Sequence, residues 1–292
     1  MGGMDEHAVL AAIADRLAAA GDDAAVLPTA GFDDQLVIST DMLHASADFP
    51  AGTAAHTRGW RAVGASLSDL AAMGARPVAA VAVIAETALE AEAIAAVIDG
   101  AEEVCESVGA SYVGGDLDVS PEPAIVSTAV GTADHPVHRA GASAGEGVYV
   151  TGQIGRTRAA MEAFAAGDTA TANELMRFTP RCGLGMALAG TATAMIDSSD
   201  GLVRSLYQLG RASGVGFDVE GAAVPLVSTT ADRAELFTYG EDFELVFTAP
   251  TEAVAALDAE TRTALTEIGR VRSEQGVEVD GSLVEDVGYS HR

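Results

Sequence analysis

The sequence predicts a two-domain protein of mixed α+β and α/β architecture, and three observations lead to that expectation. With 292 residues, 49% of them hydrophobic, the chain can bury a sizeable core and has the length of about two domains. Apolar runs of strand length alternate with segments of helical spacing, and some strands follow one another closely enough to pair antiparallel. A run of small residues at 138–147 interrupts this alternation. We therefore expect an N-terminal domain at 1–137 and a C-terminal domain at 138–292.

The first domain is expected to contain helices that stop at glycine and strands that stop at polar residues. The first helix has acidic residues in its first turn and Gly21 at its end, and the second is followed by Gly74 and Pro77. A turn and a short strand after Gly21 lead into the next strand by a hairpin-like connection. The predicted helices are 5–20, 56–73 and 89–108, and the predicted strands are 36–41, 78–84, a strand beginning at Tyr112, and 124–133.

The second domain shows the same alternation over shorter elements. In chain order we expect a strand at 147–152, helices at about 156–166 and 183–190, a strand at 194–197, a helix from Leu202, a strand after Gly240, and a helix with further short strands beyond 250.

The charge balance is strongly acidic and excludes several classes of partner. The sequence has 43 Asp and Glu against 16 basic residues, and every basic residue is Arg because there is no Lys. Such a field repels nucleic acid and anionic lipid. We expect most of the carboxylates to form a solvated surface adapted to a high-salt cytosol, so that folding and activity require molar KCl.

Nothing in the sequence indicates export or membrane insertion. No apolar stretch is long enough to span a bilayer, and the N-terminus lacks a basic segment followed by an apolar one. Cys105 and Cys182 fit neither a metal-binding spacing nor a disulfide framework. A reduced, cytoplasmic, soluble protein is expected.

The absence of lysine also excludes familiar kinds of catalysis. A Walker A loop needs Lys beside the phosphates, protein kinases need a Lys on a strand, and Schiff-base enzymes need Lys as the nucleophile. If this chain handles ATP, divalent metal ions and Arg must neutralise the phosphates instead.

Three apolar runs end in aspartate and give the first indication of a metal-nucleotide site. They are 36–41, 112–116 and 194–197, and in the first run Ser39 and Thr40 precede the aspartate. Polar groups at the ends of buried strands place oxygen ligands at the rim of a sheet, where metal ions and phosphate can reach them. We expect these three ends to meet around Mg²⁺-nucleotide.

Two further acidic positions lie in contexts that favour chemistry. Asp69 is flanked within its predicted helix by apolar residues, which makes full solvation less favourable. Asp23 lies in a Gly-Asp-Asp turn that the hairpin connection could bring next to Asp41. Each also has a simpler explanation, as a surface acid of the helix and as part of an ordinary turn.

Glycines and one arginine complete the N-terminal candidates. Gly114 and Gly115 permit a close backbone approach to a ligand and leave amides free, although Gly-Gly-Asp also forms ordinary turns. Arg139 is an isolated cation in an acidic chain. Two roles stay open for it, which are contact with a nucleotide phosphate and pairing with a nearby acid.

The most informative loop of the second domain is Asp-Ser-Ser-Asp at 197–200. Ser199 or Asp200 could be the N-cap of the following helix, but two acids and two hydroxyls exceed what a cap requires, and a helix N-terminus favours a phosphate. Glu241 and Asp242 lie at the mouth of a later apolar strand.

Together these segments resemble one family, thiamine-monophosphate kinase, in the superfamily of aminoimidazole ribonucleotide synthetase and selenophosphate synthetase. Eight motifs carry the resemblance, in the family's order over nearly the whole chain; each alone is weak, but eight in order are specific. They are Gly-Asp-Asp-Ala at 21–24, Ser-Thr-Asp at 39–41, Leu-Ser-Asp-Leu-Ala-Ala-Met-Gly-Ala at 67–75, Gly-Gly-Asp at 114–116, Arg-Ala-Gly-Ala at 139–142, Val-Tyr-Val-Thr-Gly at 148–152, Ile-Asp-Ser-Ser-Asp-Gly-Leu at 196–202 and Gly-Glu-Asp-Phe-Glu-Leu at 240–245.

The resemblance implies an ATP-dependent transfer of the γ-phosphoryl group to thiamine monophosphate, giving thiamine diphosphate by direct in-line attack with several Mg²⁺ ions. It also implies an aminoimidazole ribonucleotide synthetase-like fold. In this fold the N-terminal sheets of a homodimer pair into a barrel near the ATP, and the C-terminal domain closes the active site. Matched by motif, the metal ligands would be Asp23, Ser39, Thr40, Asp41, Asp69, Asp116, Asp197 and Asp200, the last also a candidate for positioning the reacting groups. ATP would contact Gly115, Asp116, Arg139 and Ser199, and the thiamine would contact Glu241.

The chain departs from the family pattern in three places. Asp48 stands where the family often has His, and a carboxylate there could pair with the cationic thiamine. The helix within 88–109 lacks the aromatic residue that members often place against adenine, and 288–292 lacks the family's last aromatic residue.

Two alternatives to the kinase stay open. One is another ATP-using enzyme of the superfamily, although a hydrogenase maturation protein would need a C-terminal Cys, and selenophosphate synthetase would need a reactive Cys or selenocysteine with a Lys near the N-terminus. The other is a non-catalytic acidic protein that binds divalent cations.

Overall fold

The computed structural model of the chain describes residues 22–27, 29 and 34–289. The predicted helix at 5–20 and residues 290–292 of the C-terminal segment lie outside the described residues. Within the described residues, no helix is both long enough and apolar enough to cross a membrane.

The N-terminal part is a mixed sheet covered on one face by two helices. Its elements are β1 Ala25–Leu27, β2 Gln35–His44, α1 Ala55–Ala72, β3 Arg76–Glu86, α2 Ala91–Ser107, β4 Ser111–Val119 and β5 Ala124–Ala133. The strand order is β1-β2-β5-β3-β4, antiparallel throughout except for the parallel pair β3 and β4, which α2 connects.

Alternation of side chains gives this sheet one packed face and one open face. Val37 and Leu43 of β2 are buried in the core beneath α1. On the opposite face Met42, Val81 and Val83 are 43%, 38% and 41% exposed. Because the two helices cover only one side, the other presents an apolar surface, called here the open face.

The C-terminal part is a seven-stranded sheet with order β12-β11-β8-β10-β6-β9-β7. Only β8 and β11 pair in parallel. Its strands are β6 Gly147–Thr151, β7 Ala194–Asp197, β8 Gly216–Val219, β9 Leu245–Ala249, β10 Leu265–Arg272, β11 Gly276–Val279 and β12 Ser282–Val284. Its helices are α3 Arg156–Ala165, α4 Thr169–Met176, α5 Cys182–Leu188, α6 Leu202–Ser213, α7 Arg233–Tyr239, α8 Thr251–Ala255 and α9 Ala259–Thr263.

A shared apolar cluster joins the two parts. Ala71 and Ala72 at the end of α1 pack with Leu188, Met195 and Phe247 of the second part. This contact brings the last turn of α1 next to the end of β7, and therefore brings Asp69 near Asp197. The boundary after residue 137 stays a prediction, with one sheet on either side of it.

Most predicted elements occur with the expected type, but two predicted strand ends are wrong. The strand at 124–133 and the end of β7 at Asp197 agree with the prediction. By contrast, β2 continues past Asp41 to His44, and β4 continues past Asp116 to Val119. The polar residues there do not stop the strands, because apolar residues follow and the alternation of faces continues. The sequence reading also missed α4, whose N-cap Asp168 accepts from the Thr171 amide at 3.1 Å.

Candidate active site

Three aspartates from distant parts of the chain converge where the two parts meet. One carboxylate oxygen from each of Asp23, Asp69 and Asp197 lies within 4.8 Å of the other two. Asp23 precedes β1, Asp69 lies in the last turn of α1, and Asp197 ends β7. We call these three residues the acidic cluster.

Serine hydroxyls orient two members of the acidic cluster. Ser68 Oγ donates to Asp197 Oδ2 at 2.6 Å, across the contact between the two parts. Ser39 Oγ donates to Asp69 Oδ2. The hairpin of β1 and β2 pairs Ala25 with Ile38, so it places the turn containing Asp23 beside Ser39.

Burial and mutual repulsion raise the pKa values of two of these groups. Desolvation is the largest cause for Asp69, and the charges of Asp197, Asp23 and Asp41 add to it, which holds its pKa well above the ordinary value. Burial and then Asp23 raise the pKa of Asp197 to about 7, although Ser68, Arg139 and Ser199 act in the opposite direction. The protein therefore concentrates negative charge that a cation would relieve.

One oxygen of the acidic cluster has no partner of its own. Asp197 is 1% exposed, and its Oδ1 makes no hydrogen bond of normal geometry among the described residues. A buried acceptor left without a donor costs roughly 1–3 kcal/mol, and more when it is charged. Mg²⁺ prefers oxygen ligands, and carboxylates above all. The residues therefore fit a magnesium ion.

Arg139 already pairs with the acidic cluster. Its Nε and Nη2 lie 3.2 and 2.9 Å from the two oxygens of Asp23, whose side chain is 1% exposed. Burial lowers the pKa of Arg139, but the charge and hydrogen bond of Asp23 outweigh this and raise it overall. The pairing with an acid, one of the two roles left open by the sequence, is present.

The other residues of the Ser-Thr-Asp motif divide between the two faces of β2. Ser39 and Asp41 lie on the helix-covered face, and the charge of Asp41 raises the pKa values of both Asp69 and Glu241. Thr40 is exposed on the open face, where its Oγ1 donates to the Ser127 carbonyl at 2.8 Å. The side chain of Thr40 is therefore not brought to the acidic cluster.

Gly115 and Asp116 lie on β4, the edge strand at the opposite end of the same sheet from β1. Two strands, β5 and β3, separate β4 from β2, and Asp116 pairs in register with Val83 of the open face. Asp116 is exposed and is not part of the acidic cluster. A Cβ on Gly115 would lie 1.7 Å from the Ala82 carbonyl oxygen, so glycine is required there by the contact between strands.

The loop after β7 packs against the segment 240–245. The amide of Glu241 donates to the Ser199 carbonyl at 2.6 Å, and Gly240 has φ +86° where a Cβ would lie 2.6 Å from the same oxygen. Asp200 accepts from Gln208 Nε2 at 3.0 Å through Oδ2. Ser199 and Asp200 therefore lie next to the acidic cluster in sequence and are held by the neighbouring segment.

The acids of 240–245 each have a separate partner. Glu241 Oε2 lies 2.8 Å from Nη2 of the buried Arg61. Asp242 accepts from the amides of Gly155 and Thr157 at 2.7 and 3.2 Å, at the start of α3. Glu244 accepts from Arg181 Nε at 2.7 Å and Thr151 Oγ1 at 2.6 Å. Together these contacts hold the segment in place.

Arg61 was missed by the sequence reading, and one signal could have revealed it. It is followed in the helix by the small and apolar residues 62–65, and it is fully buried. Its guanidinium lies 5.4 Å from the ring centroid of Phe243 and 5.8 Å from that of Phe178. A buried charge of this kind needs an acidic partner.

Asp48 lies beside a cleft at the C-terminal end of the described chain. It is buried, accepts from the His44 amide at 2.6 Å, and accepts from Tyr289 Oη at 3.2 Å. The cleft has a volume of about 590 Å³ and is bounded by the turn after β2, α7 and the C-terminal segment. Its lining residues are Ser46, Ala47, Glu235, Thr238, Tyr239, Gly288 and Tyr289.

Comparison with known proteins gives matches to both parts of the chain. The family model for the N-terminal domain of AIR synthase related proteins matches residues 21–133, and the model for their C-terminal domain matches 129–282. A thiamine-monophosphate kinase from Halobacterium salinarum is 46% identical over 294 residues, covering 99% of this chain and 100% of the relative. The chain belongs to the thiamine-monophosphate kinase family. The family inferred from the eight motifs is thereby confirmed, together with the two-domain fold.

Other members of the thiamine-monophosphate kinase family extend the match. The protein from Methanospirillum hungatei JF-1 is 39% identical over 88% of each chain. The solved structure of AaThiL complexed with AMPPCP and TMP superposes with a TM-score of 0.91 at 28% identity, covering 100% of this chain and 99% of that one. The similarity to this family therefore covers both the sequence of the chain and the three-dimensional arrangement of its two parts.

Proposed function

We propose that this chain transfers the γ-phosphoryl group of ATP to thiamine monophosphate, forming thiamine diphosphate and ADP. The observation that carries the proposal is the acidic cluster with its partnerless buried oxygen, in a chain that matches thiamine-monophosphate kinases over its full length. AaThiL binds AMPPCP, an ATP analogue, together with TMP, which supports these two substrates.

Magnesium is the proposed cofactor, held first by Asp23, Asp69 and Asp197. Ser39 orients Asp69, and Asp41 lies close enough to raise the pKa of Asp69, so it can add charge or a ligand as the site fills. Asp200, three residues after Asp197, is a further proposed ligand. Bound Mg²⁺ would neutralise the phosphate oxygens, which is the main requirement of phosphoryl transfer. No residue is needed as a nucleophile, because the acceptor phosphate itself attacks.

The nucleotide is proposed to lie against Arg139 and the loop containing Ser199. In a chain without lysine, an Arg is the cation available to phosphates, and its planar fork matches a phosphate as well as a carboxylate. The 240–245 segment holds the Ser199 loop through the Glu241 amide and, through the Glu244 amide, the Ser198 hydroxyl at 3.0 Å.

The acceptor is proposed to occupy the cleft beside Asp48, with Glu241 as a second carboxylate near Asp48. Thiamine is cationic, and both residues are carboxylates. Burial raises the pKa of Glu241, with Arg61 lowering it and Asp48 raising it, so the two acids lie within electrostatic range of each other. A cation between them would be favoured.

A homodimer formed through the open face is proposed for the N-terminal sheet. Met42, Val81 and Val83 are exposed there, and Val113 of the edge strand β4 is 63% exposed. Apolar faces of this kind are rarely left in water. Light scattering should give twice the chain mass for the native protein and the monomer mass for Val83→Glu; a monomeric native protein contradicts the proposal.

The activity is tested by ADP release in molar KCl with Mg²⁺ and ATP. ADP should form with thiamine monophosphate and not with thiamine, which lacks the attacking phosphate. A cation-binding protein would release no ADP with either. ADP release that is independent of the acceptor, or thiamine diphosphate absent from the products, would contradict the proposal.

A further inference from the structure

The contact between Arg139 and Asp23 occupies an oxygen pair that the proposed metal site needs. Both oxygens of Asp23 bind the guanidinium, and the Asp23 side chain is 1% exposed. A bidentate Arg uses about two of the four lone-pair sites of a carboxylate and compensates its charge, which makes that carboxylate a weaker ligand for a divalent cation. The site built from the acidic cluster therefore contains its own competing cation.

The main chain of Arg139 is fixed, so only its side chain is free to change partner. The Arg139 amide donates to Asp22 Oδ1 at 2.7 Å, and its carbonyl accepts from Ser213 Oγ at 3.2 Å. These bonds connect the segment at 138–147 to the turn containing Asp22 and to the end of α6. The Arg139 side chain is 24% exposed, so it can rotate away from Asp23 without displacing this backbone.

We propose that Arg139 is a built-in counterion that occupies Asp23 until a divalent metal ion displaces it, and that the released guanidinium then binds the nucleotide phosphate. The inference rests on the proposed function. Metal binding and nucleotide binding are thereby linked through one side chain. The partnerless Oδ1 of Asp197 gives the entering ion a ligand that Arg139 does not cover.

The exchange makes opposite predictions for the two ligands. Without nucleotide, Arg139→Gln removes the competitor, so Mn²⁺ should bind about tenfold tighter than to the native protein. At saturating metal, the same variant lacks the phosphate contact, so AMPPCP should bind about tenfold weaker. A residue that merely maintained the shape of the site would change both affinities in the same direction.

Binding is measured on the full chain by electron paramagnetic resonance of free Mn²⁺, at constant KCl and without acceptor. Arg272→Gln is the matched control, because Arg272 forms an ion pair with Glu278 at a similar side-chain exposure of 22% on the far side of the C-terminal sheet. It removes the same charge, and its Mn²⁺ affinity should stay within about twofold of the native value.

Arg139→Lys separates competition from the loss of a charge. Lysine keeps the positive charge but cannot grip both oxygens of Asp23, so Mn²⁺ should still bind tighter than to the native protein. Unchanged or weaker Mn²⁺ binding by Arg139→Gln overturns the proposal. Tightening by Arg139→Gln but not by Arg139→Lys also overturns it, since charge alone would then explain the result. Because no acceptor is present, this outcome is independent of the kinase assay.

Discussion

The acidic cluster and the 240–245 segment each contain three acids at the contact between the two parts of the chain, yet they are arranged in opposite ways. In the segment, Glu241, Asp242 and Glu244 each have a separate partner of complementary charge or a helix N-terminus. In the cluster, three carboxylates share one Arg and two serine hydroxyls.

The difference indicates which buried acids have a partner within the protein and which need an added cation. A buried carboxylate with a complete set of donors stabilises one conformation, whereas mutually repelling carboxylates lower stability until a cation joins them. The segment even holds Glu241 and Phe243 at φ 60° and 55°, a conformation that its surrounding contacts must stabilise. A segment whose acids are all paired thus lies beside a cluster whose acids repel one another.

The largest expected effect comes from the acidic cluster. Asp197→Asn should lower turnover by about 1,000-fold or more, because an amide is a poor ligand for the metal that neutralises the phosphates. In EDTA the melting temperature of Asp197→Asn should equal or exceed that of the native protein in EDTA, since the variant lacks one of the three repelling charges. A clear fall in the melting temperature would place Asp197 with the structural acids instead.

The segment should respond in the reverse order, with stability lost first. Arg61→Met leaves Glu241 buried without its cation and should cost about 3–5 kcal/mol of the free energy of unfolding, measured in urea at constant KCl. Arg270→Met is the control, because its pair with Glu267 is largely exposed, and it should cost less than about 1 kcal/mol. Equal losses in the two variants would contradict the assignment.

A smaller effect is expected in the pH dependence of the free energy of unfolding, to which Asp242 of the 240–245 segment contributes. Burial raises the pKa of Asp242 from 3.8 to about 6, against the lowering effect of the Gly155 and Thr157 amides. The native state therefore binds a proton that the unfolded state releases, so the free energy of unfolding falls as pH rises from 4 to 6, by about 2–3 kcal/mol. In Asp242→Asn this contribution is absent.

The measurement for Asp242 is the difference between the native and variant unfolding free energies at each pH. That difference should decline between pH 4 and pH 6 and become constant above pH 7. A difference that rises with pH over this window would show that the carboxylate is stabilised in its charged form by the helix N-terminus.

The smallest effect concerns which face of β2 belongs to the site. Ser39→Ala removes the hydroxyl that orients Asp69 and should lower turnover about tenfold. Thr40→Val removes two contacts on the open face, to the Ser127 carbonyl and from Thr128 Oγ1, and should change turnover less than about threefold. Steady-state assays of both variants test this, and a larger loss in Thr40→Val would mean that the open face contributes to catalysis.

Local patterns in the sequence were sufficient for most elements and for the family. The alternation at 124–133 and the apolar run ending at Asp197 predicted their strands correctly, because each depends on a period that neighbouring residues complete. The same reasoning failed at Asp41 and Asp116, where a polar residue in an alternating strand looks like an end. Periodicity alone does not distinguish a strand that stops from one that only changes face.

By itself, the sequence determined that this acidic, lysine-free chain has two α/β parts and the ordered motifs of one kinase family. Only the tertiary structure decided which aspartates lie together, since Asp69 and Asp197 meet through the packing of α1 on β7, whereas Asp116 lies on another strand and face. It also decided that Arg61 neutralises Glu241, 180 residues away. Such pairings depend on sheet order and on contacts between the two parts, which no local pattern contains.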